Sequence, residues 1–122
     1  MDKPMKKILA ADDDPGMRAL YQVLLAEEGF EVEIAEDAAS ALEKFMSWKP
    51  DILVLDVDMP GGGGPRVFTI TRRILQLGVP VVFVTGFPES VVDSALMHEK
   101  VVILQKPLDE AKLMAEIHRL TD

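Results

Sequence analysis

The chain has 122 residues, 48% hydrophobic and 28% charged, which predicts a single globular domain over residues 1–122 and excludes an intrinsically disordered chain. Cysteine is absent, so disulfide frameworks and thiolate metal sites are excluded. The net charge of −8 argues against nucleic acid as a direct partner, because phosphate contacts need clustered Lys and Arg side chains. The sequence shows neither a signal-type apolar segment nor the run of about 20 apolar residues that a membrane span requires, so we expect a cytoplasmic protein without membrane contact.

Short apolar runs alternate with helical patterns along the chain, which is typical of repeated βαβ units and a parallel sheet. The first run, residues 8–11, predicts a strand that leads directly into three consecutive aspartates. Asp14 and Pro15 are a typical N-cap and first helical residue, so we expect the first helix to begin there and to end at Gly29. Residues 30–35 alternate apolar and acidic side chains and predict an edge strand with one face in solvent.

The middle of the chain predicts a second helix and a buried strand. Asp37 is the expected N-cap of a helix that ends near Lys49. Residues 52–55 form an unbroken apolar run that leads into Asp56, and such a run is typical of a central strand covered on both faces. Four glycines then predict a flexible loop, and a third helix begins at Pro65.

The remaining sequence continues the same alternation. Residues 81–84 predict a fourth strand that leads into Thr85, and a weaker helical pattern covers residues 89–97. Residues 101–105 predict a fifth strand that leads into Lys106 and the proline after it, and a last helix follows. The pattern therefore predicts an α/β domain with five parallel strands and five helices.

Polar side chains stand at the ends of four predicted strands, and they are Asp12 and Asp13, Asp56, Thr85 and Lys106. In an open parallel sheet, ligands bind in the crevice outside the carboxyl ends of the strands. Clustered carboxylates repel one another unless something neutralises them, so a packed core gains nothing from them. Acids, a hydroxyl and an ammonium at one edge are the groups that a divalent cation and a phosphoryl group require.

Each of these residues also has an ordinary structural interpretation. The three aspartates could serve only to cap the first helix, although one cap needs one acid. Asp56 could be a turn residue, Thr85 could be structural, and Lys106 could be a solvated lysine at a turn. We expect His98 and His118 to be surface residues away from the site.

Taken in chain order, the strand ends resemble the receiver domain of two-component response regulators. The stretches that carry the resemblance are residues 8–15, 51–60, 84–86 and 105–107, which together span nearly the whole chain. The resemblance implies a flavodoxin-like (βα)5 fold whose parallel sheet has the strand order 2-1-3-4-5. In that order the first and third strands end side by side.

The resemblance also implies a role for each residue of the acidic site. Asp56 is expected to be the phosphoacceptor, taking a phosphoryl group from the histidine of a sensor kinase or phosphotransfer protein. Asp13 is expected to bind Mg²⁺ directly, with Mn²⁺ as a substitute, and Asp12 to bind it through water. Asp56 and the backbone carbonyl of Asp58 would supply further oxygen ligands.

The implied function is a switch in phosphorelay signal transduction, which catalyses only its own phosphorylation and dephosphorylation. Lys106 is expected to pair with one phosphoryl oxygen and Thr85 to donate a hydrogen bond to another. The predicted helix over residues 89–97, the fifth strand and the last helix would form the surface for a downstream protein target. The end of the chain one helix after Lys106 fits either a stand-alone receiver or a piece of a larger regulator or hybrid kinase.

Two stretches depart from the usual receiver pattern. Ile103 occupies the position where receivers carry an aromatic ring that swings inward when the threonine moves. The usual coupling between the threonine and that ring therefore cannot operate in its ordinary form. The stretch Phe-Val-Thr-Gly-Phe, residues 83–87, is similar to a subgroup of single-domain receivers with a Phe-Ala-Thr-Gly motif. We therefore expect the helical segment after it to respond to phosphorylation by becoming more ordered.

The main alternative is a phosphohydrolase of the haloacid dehalogenase type. Asp56 and Asp58 resemble its Asp-x-Asp pair, with Thr85 and Lys106 as its second and third motifs. In that family the Asp-x-Asp should end the first strand and an acidic pair should follow the lysine, which is not the order here. A pseudo-receiver that binds partners without phosphorylation is a further alternative, against which the complete set of acids argues.

Overall fold

Five strands and three complete helices lie within the part of the chain that the computed structural model describes, residues 5–57, 76–88 and 100–122. The strands are β1 Lys7–Ala11, β2 Glu31–Ala35, β3 Ile52–Asp56, β4 Val81–Thr85 and β5 Val101–Gln105. The helices are α1 Pro15–Glu27, α2 Ala38–Trp48 and α3 Glu110–Thr121. The predicted helices over residues 65–77 and 89–97, the glycine loop, Asp58 and His98 lie wholly or mostly outside the described residues.

The strands form one parallel sheet in the order β2-β1-β3-β4-β5. This order confirms the flavodoxin-like fold that the resemblance implied. The central strand β3 and its neighbour β4 are buried along their whole length, whereas β2 alternates exposed and covered residues as an edge strand does. The sequence prediction of an edge strand and of a doubly covered central strand is therefore confirmed.

Local side-chain hydrogen bonds fix where the helices begin. Asp14 Oδ1 accepts the backbone N–H of Gly16 at 2.9 Å, and Pro15 occupies the first helical position. At α2, Asp37 Oδ1 accepts the N–H of Ser40 at 2.7 Å in a reciprocal capping box. Gly29 follows α1 with a φ of 92°, a left-handed conformation that glycine adopts without a steric penalty. These caps confirm the predicted helix starts.

The alternation of side chains along the strands divides the core into two layers, one on each face of the sheet. One layer packs against α2, through Ala41 and Phe45. The other packs against α1 and α3, through side chains that include Leu25 and Leu113. Within the described residues the buried polar side chains are Asp12, Asp56 and Thr85, and all three lie at the carboxyl ends of strands. The apolar layers thus support one polar edge.

Candidate functional site

The four strand ends bring the predicted site residues to one edge of the sheet. Asp12 follows β1 directly, Asp56 and Thr85 are the last residues of β3 and β4, and Lys106 follows β5. Parallel pairing of neighbouring strands keeps these ends adjacent. The backbone N–H of Lys106 donates to the carbonyl of Thr85 at 2.8 Å, which fixes the last of these neighbours in place.

An acidic cluster lies at the ends of β1 and β3. Carboxylate oxygens of Asp12, Asp13 and Asp56 all lie within 4.8 Å of one another. Asp12 and Asp56 are 0% and 1% exposed, whereas Asp13 is exposed. Two ionised carboxylates about 4 Å apart repel by about 4 kcal/mol at an effective dielectric of about 20. The cluster therefore opposes folding unless cations or hydrogen-bond donors offset its charge.

Two donors partly offset this repulsion. Lys106 Nζ lies 3.0 Å from Asp56 Oδ1 and forms an ion pair with it. The backbone N–H of Asp14 donates to Asp12 Oδ1 at 2.9 Å. No donor within the described residues reaches the other carboxylate oxygen of Asp12, Oδ2, although that atom is buried. The site thus leaves a buried acceptor oxygen directed away from solvent.

Burial raises the pKa of Asp12 from 3.8 to about 6, because a buried carboxylate loses its hydration. The N–H of Asp14 and the ammonium of Lys106 oppose this shift, while the charge of Asp56 adds to it. A carboxyl group whose charge is so poorly stabilised by the protein is well suited to a cation.

The site fits a hydrated divalent cation. Mg²⁺ prefers oxygen ligands and is commonly held by one or two carboxylates together with waters. The cluster offers three carboxylates from two strand ends, and a cavity of about 280 Å³ lies beside it. The side chains lining that cavity are Asp12, Asp13, Asp14, Met17, Lys106, Pro107 and Leu108. Asp58, whose backbone carbonyl was predicted as a ligand, lies outside the described residues.

Thr85 connects the site to the loop that follows β4. Its side chain is completely buried, and its hydroxyl oxygen accepts the backbone N–H of Phe87 at 3.0 Å. Phe87 itself is 64% exposed, so the loop carries an aromatic ring in solvent two residues from the threonine. A displacement of the Thr85 hydroxyl would therefore pull directly on this loop.

Arg18, in the first turns of α1, is a contributor that the sequence analysis missed. Its guanidinium donates to the backbone carbonyls of both Asp12 and Asp13 at 3.0 Å. These bonds fix the backbone of the acidic loop and place a positive charge next to it. The available signal in the sequence was a basic residue one helical turn after an acidic loop. An arginine that is simply solvated can occupy the same position, so the signal is not specific.

Comparison with known proteins settles the family. The model of the response regulator receiver domain matches residues 8–118. The chain belongs to this family. Receiver domains are signalling domains of two-component systems, so the functional class predicted from the resemblance is confirmed, and the haloacid dehalogenase alternative finds no support.

Curated relatives of this receiver domain are about twice its length. The DNA-binding response regulator MtrA of Mycobacterium tuberculosis (strain ATCC 25618 / H37Rv) is 30% identical over 119 residues, which are 96% of this chain and 51% of MtrA. The sensory transduction protein LytT of Bacillus subtilis (strain 168) is 32% identical over 119 residues, covering 94% of this chain and 48% of LytT. The chain thus spans about half the length of the curated relatives it matches.

Solved structures agree with the family assignment. The chemotaxis protein CheY4 of Vibrio cholerae has a TM-score of 0.80 and 26% identity, covering 96% of this receiver and 99% of CheY4. The response regulator TrrA of Thermotoga maritima, solved in complex with Mg²⁺-BeF, has a TM-score of 0.81 and 29% identity, covering 95% of this receiver and 99% of TrrA. The similarity to the Phe-Ala-Thr-Gly subgroup stays a prediction.

None of the described helices combines the length and the apolar character that a membrane crossing requires. The predicted absence of direct nucleic-acid contact stays a prediction, because MtrA is named a DNA-binding regulator.

Proposed function

We propose that this receiver domain accepts a phosphoryl group on Asp56, with a divalent cation held by Asp12, Asp13 and Asp56. The observation that carries the proposal is the pairing of a buried carboxylate with an ammonium at 3.0 Å, inside a cluster of three acids whose oxygens lie within 4.8 Å. A buried aspartate at this strand end gains little for packing. TrrA, which is similar in fold and sequence, was solved with Mg²⁺-BeF, and this supports the choice of ligands.

In the proposed reaction a carboxylate oxygen of Asp56 attacks the phosphorus of a phosphohistidine in line. A bond forms between that oxygen and phosphorus while the bond from phosphorus to the histidine nitrogen breaks, which leaves an acyl phosphate and a neutral imidazole once the nitrogen takes a proton. Mg²⁺ bound at the acidic cluster would supply positive charge against the oxygens of the transferred group. Mn²⁺ has the same preference for oxygen ligands and can substitute.

Lys106 and Thr85 would then hold the phosphoryl group. The ammonium of Lys106 already faces Asp56, and a lysine side chain can follow a new oxygen as a mobile point charge. The Thr85 hydroxyl accepts the N–H of Phe87, and its own proton can be donated to a phosphoryl oxygen. Any movement of that hydroxyl would be transmitted to the loop through the bond to Phe87.

The proposed switch works without a rotating aromatic ring. Ile103 is partly buried and packs against the core layer that contains Phe83, so an aliphatic side chain fills the position. We infer that the signal passes from Thr85 to the loop after β4 and to the surface that includes β5 and α3. A protein target that recognises this surface fits the net charge of −8 better than a nucleic acid does, and we expect the reaction to take place in the cytoplasm.

The test is incubation of the receiver with Mg²⁺ and a small phosphoryl donor such as acetyl phosphate, followed by intact-mass and peptide analysis. We expect one phosphoryl group on Asp56, stable in acid and labile to base and hydroxylamine. Asp56→Asn should abolish the modification. Asp51→Asn is the matched control, because it changes an exposed aspartate at the opposite end of the same strand. Modification of a histidine, a serine or Asp12 would refute the assignment.

A further inference from the structure

Tyr21 is the single tyrosine of the chain, and its environment is unusual for a hydroxyl group. It lies in α1 with 0% exposure, and its hydroxyl has no hydrogen-bond partner within the described residues. Buried tyrosine hydroxyls usually have a partner, and leaving one without a partner destabilises the folded state. Phenylalanine would fill the same space without that cost, so packing alone does not account for the hydroxyl.

The core layer that contains Tyr21 also contains residues that precede the acidic cluster along the strands. Tyr21 packs in the same core layer as Ala10, Val54 and Val84. These three side chains come from β1, β3 and β4, one or two residues before Asp12, Asp56 and Thr85. The aromatic ring therefore belongs to the core layer that includes the residues just before the strand ends of the site.

The electrostatic environment agrees with this placement. Burial raises the pKa of the Tyr21 hydroxyl far above its ordinary value, and the charges of Asp12 and Asp56 raise it further. A donor so protected from ionisation keeps its proton for hydrogen bonding at every ordinary pH. Asp12 Oδ2 is a buried acceptor that lacks a donor within the same part of the chain. A buried donor and a buried acceptor, each without a partner among the described residues, thus lie close enough for the charge of Asp12 to raise the pKa of Tyr21.

We propose that Tyr21 is a positioning residue of the cation site, whose hydroxyl donates to the Asp12 carboxylate through a bridging water and so holds it in the orientation that the cation needs. The proposal rests on the proposed function, because it assigns Tyr21 a role at that same site. Groups that orient metal-binding side chains commonly change metal affinity by about tenfold or more when they are removed. A water that joins two buried polar groups is nearly as favourable as a direct hydrogen bond.

The test compares Mg²⁺ binding in wild type, Tyr21→Phe and Leu25→Val, by titration calorimetry or by NMR. Tyr21→Phe keeps the ring and removes only the hydroxyl, and we expect its Mg²⁺ dissociation constant to rise by about tenfold. Leu25→Val is the matched control, because Leu25 is equally buried one turn further along α1 in the same core layer. It should lower the melting temperature and leave the dissociation constant within about twofold, since ordinary packing losses do not reorient the carboxylate.

A second measurement does not depend on a variant. Because the chain has one tyrosine, a ¹³Cζ label on Tyr21 gives a single NMR resonance that reports on its hydroxyl. We expect this resonance to move when Mg²⁺ is added to wild type. The proposal is overturned if the resonance does not move, or if Tyr21→Phe binds Mg²⁺ with the dissociation constant of wild type. If wild type itself binds no Mg²⁺, the proposed cation site is wrong. If wild type binds Mg²⁺ and Tyr21→Phe binds it equally well, only the role of Tyr21 is wrong.

Discussion

The two ends of the same sheet accommodate charge in opposite ways. At the amino ends, Asp51 is exposed and accepts the backbone N–H of Lys7 at 2.7 Å, while the ammonium of Lys7 lies 5.4 Å from the centre of the Trp48 ring. At the carboxyl ends, Asp12 and Asp56 are buried within 4.8 Å of a third carboxylate. Charges at the first end remain hydrated or paired at little cost, whereas those at the second end lower the stability of the fold. A protein retains such a cluster where binding depends on it.

The largest expected difference between the ends is in their response to pH. The pKa of Asp12 is raised in the folded protein, from 3.8 to about 6, so the folded state binds more protons than the unfolded state between pH 4 and pH 6. The contribution of Asp12 to the free energy of unfolding therefore increases as the pH falls through this window, by about 3 kcal/mol in all for a shift of about two units.

The prediction is checked by urea denaturation of wild type and Asp12→Asn at several pH values. The free energy of unfolding of wild type minus that of Asp12→Asn should rise as the pH falls from 7 to 4, because the variant lacks the titrating carboxyl group. Asp51→Asn at the other end should show no comparable change relative to wild type. If this difference stays constant, or falls with falling pH, the folded protein does not destabilise the ionised form of Asp12.

Removing a cation at each end should give the next largest difference. Lys106→Met removes the ammonium that faces the buried Asp56, and we expect a loss of about 2 kcal/mol in the free energy of unfolding. This is below the usual cost of breaking a buried pair, because the Lys106 side chain is 32% exposed and water screens it. Lys7→Met, the matched control at the amino end, should cost about 0.5 kcal/mol or less. Equal losses in the two variants would remove the contrast between the ends.

The smallest expected effect concerns Asp13, the exposed member of the cluster. Asp13→Asn removes one of three repelling charges, so without metal we expect it to raise the free energy of unfolding by about 0.5–1 kcal/mol. The same variant should lose most of the rise in melting temperature that millimolar Mg²⁺ produces in wild type. Thermal melts of both proteins with and without Mg²⁺ measure both effects. A variant that is less stable than wild type without metal, or that responds fully to Mg²⁺, would show that Asp13 is not part of a repelling cation site.

The sequence predicted most of the fold because its signals are local. Asp14 and Asp37 were predicted as helix caps from residue type and position alone, and both accept the expected backbone N–H groups. The unbroken apolar run before Asp56 predicted a doubly covered strand, which β3 is. The order of the strands came from the resemblance to receiver domains, since alternation of strands and helices does not determine which strands are neighbours.

The candidate site could be predicted only in part. The placement of the strand-end residues together could be predicted, because parallel strands bring their carboxyl ends to one edge, whatever the details of packing. Arg18 and Tyr21 were not recognised as contributors, because on a helix the same residue types serve as solvated charge and apolar core. The raised pKa of Asp12 could not be predicted from the sequence either, since it depends on the burial of the side chain and on the nearby charge of Asp56.

The most direct test of the account is a crystal structure of the receiver grown with Mg²⁺ and beryllofluoride, which mimics a phosphoryl group. We expect beryllofluoride on the carboxylate of Asp56, with Lys106 and Thr85 on its fluorine atoms. The cation should lie about 2.1 Å from oxygens of Asp13 and Asp56. Beryllofluoride bound at another residue, or a cation that avoids these carboxylates, would contradict the claim that the carboxyl ends of the strands form a phosphoacceptor site.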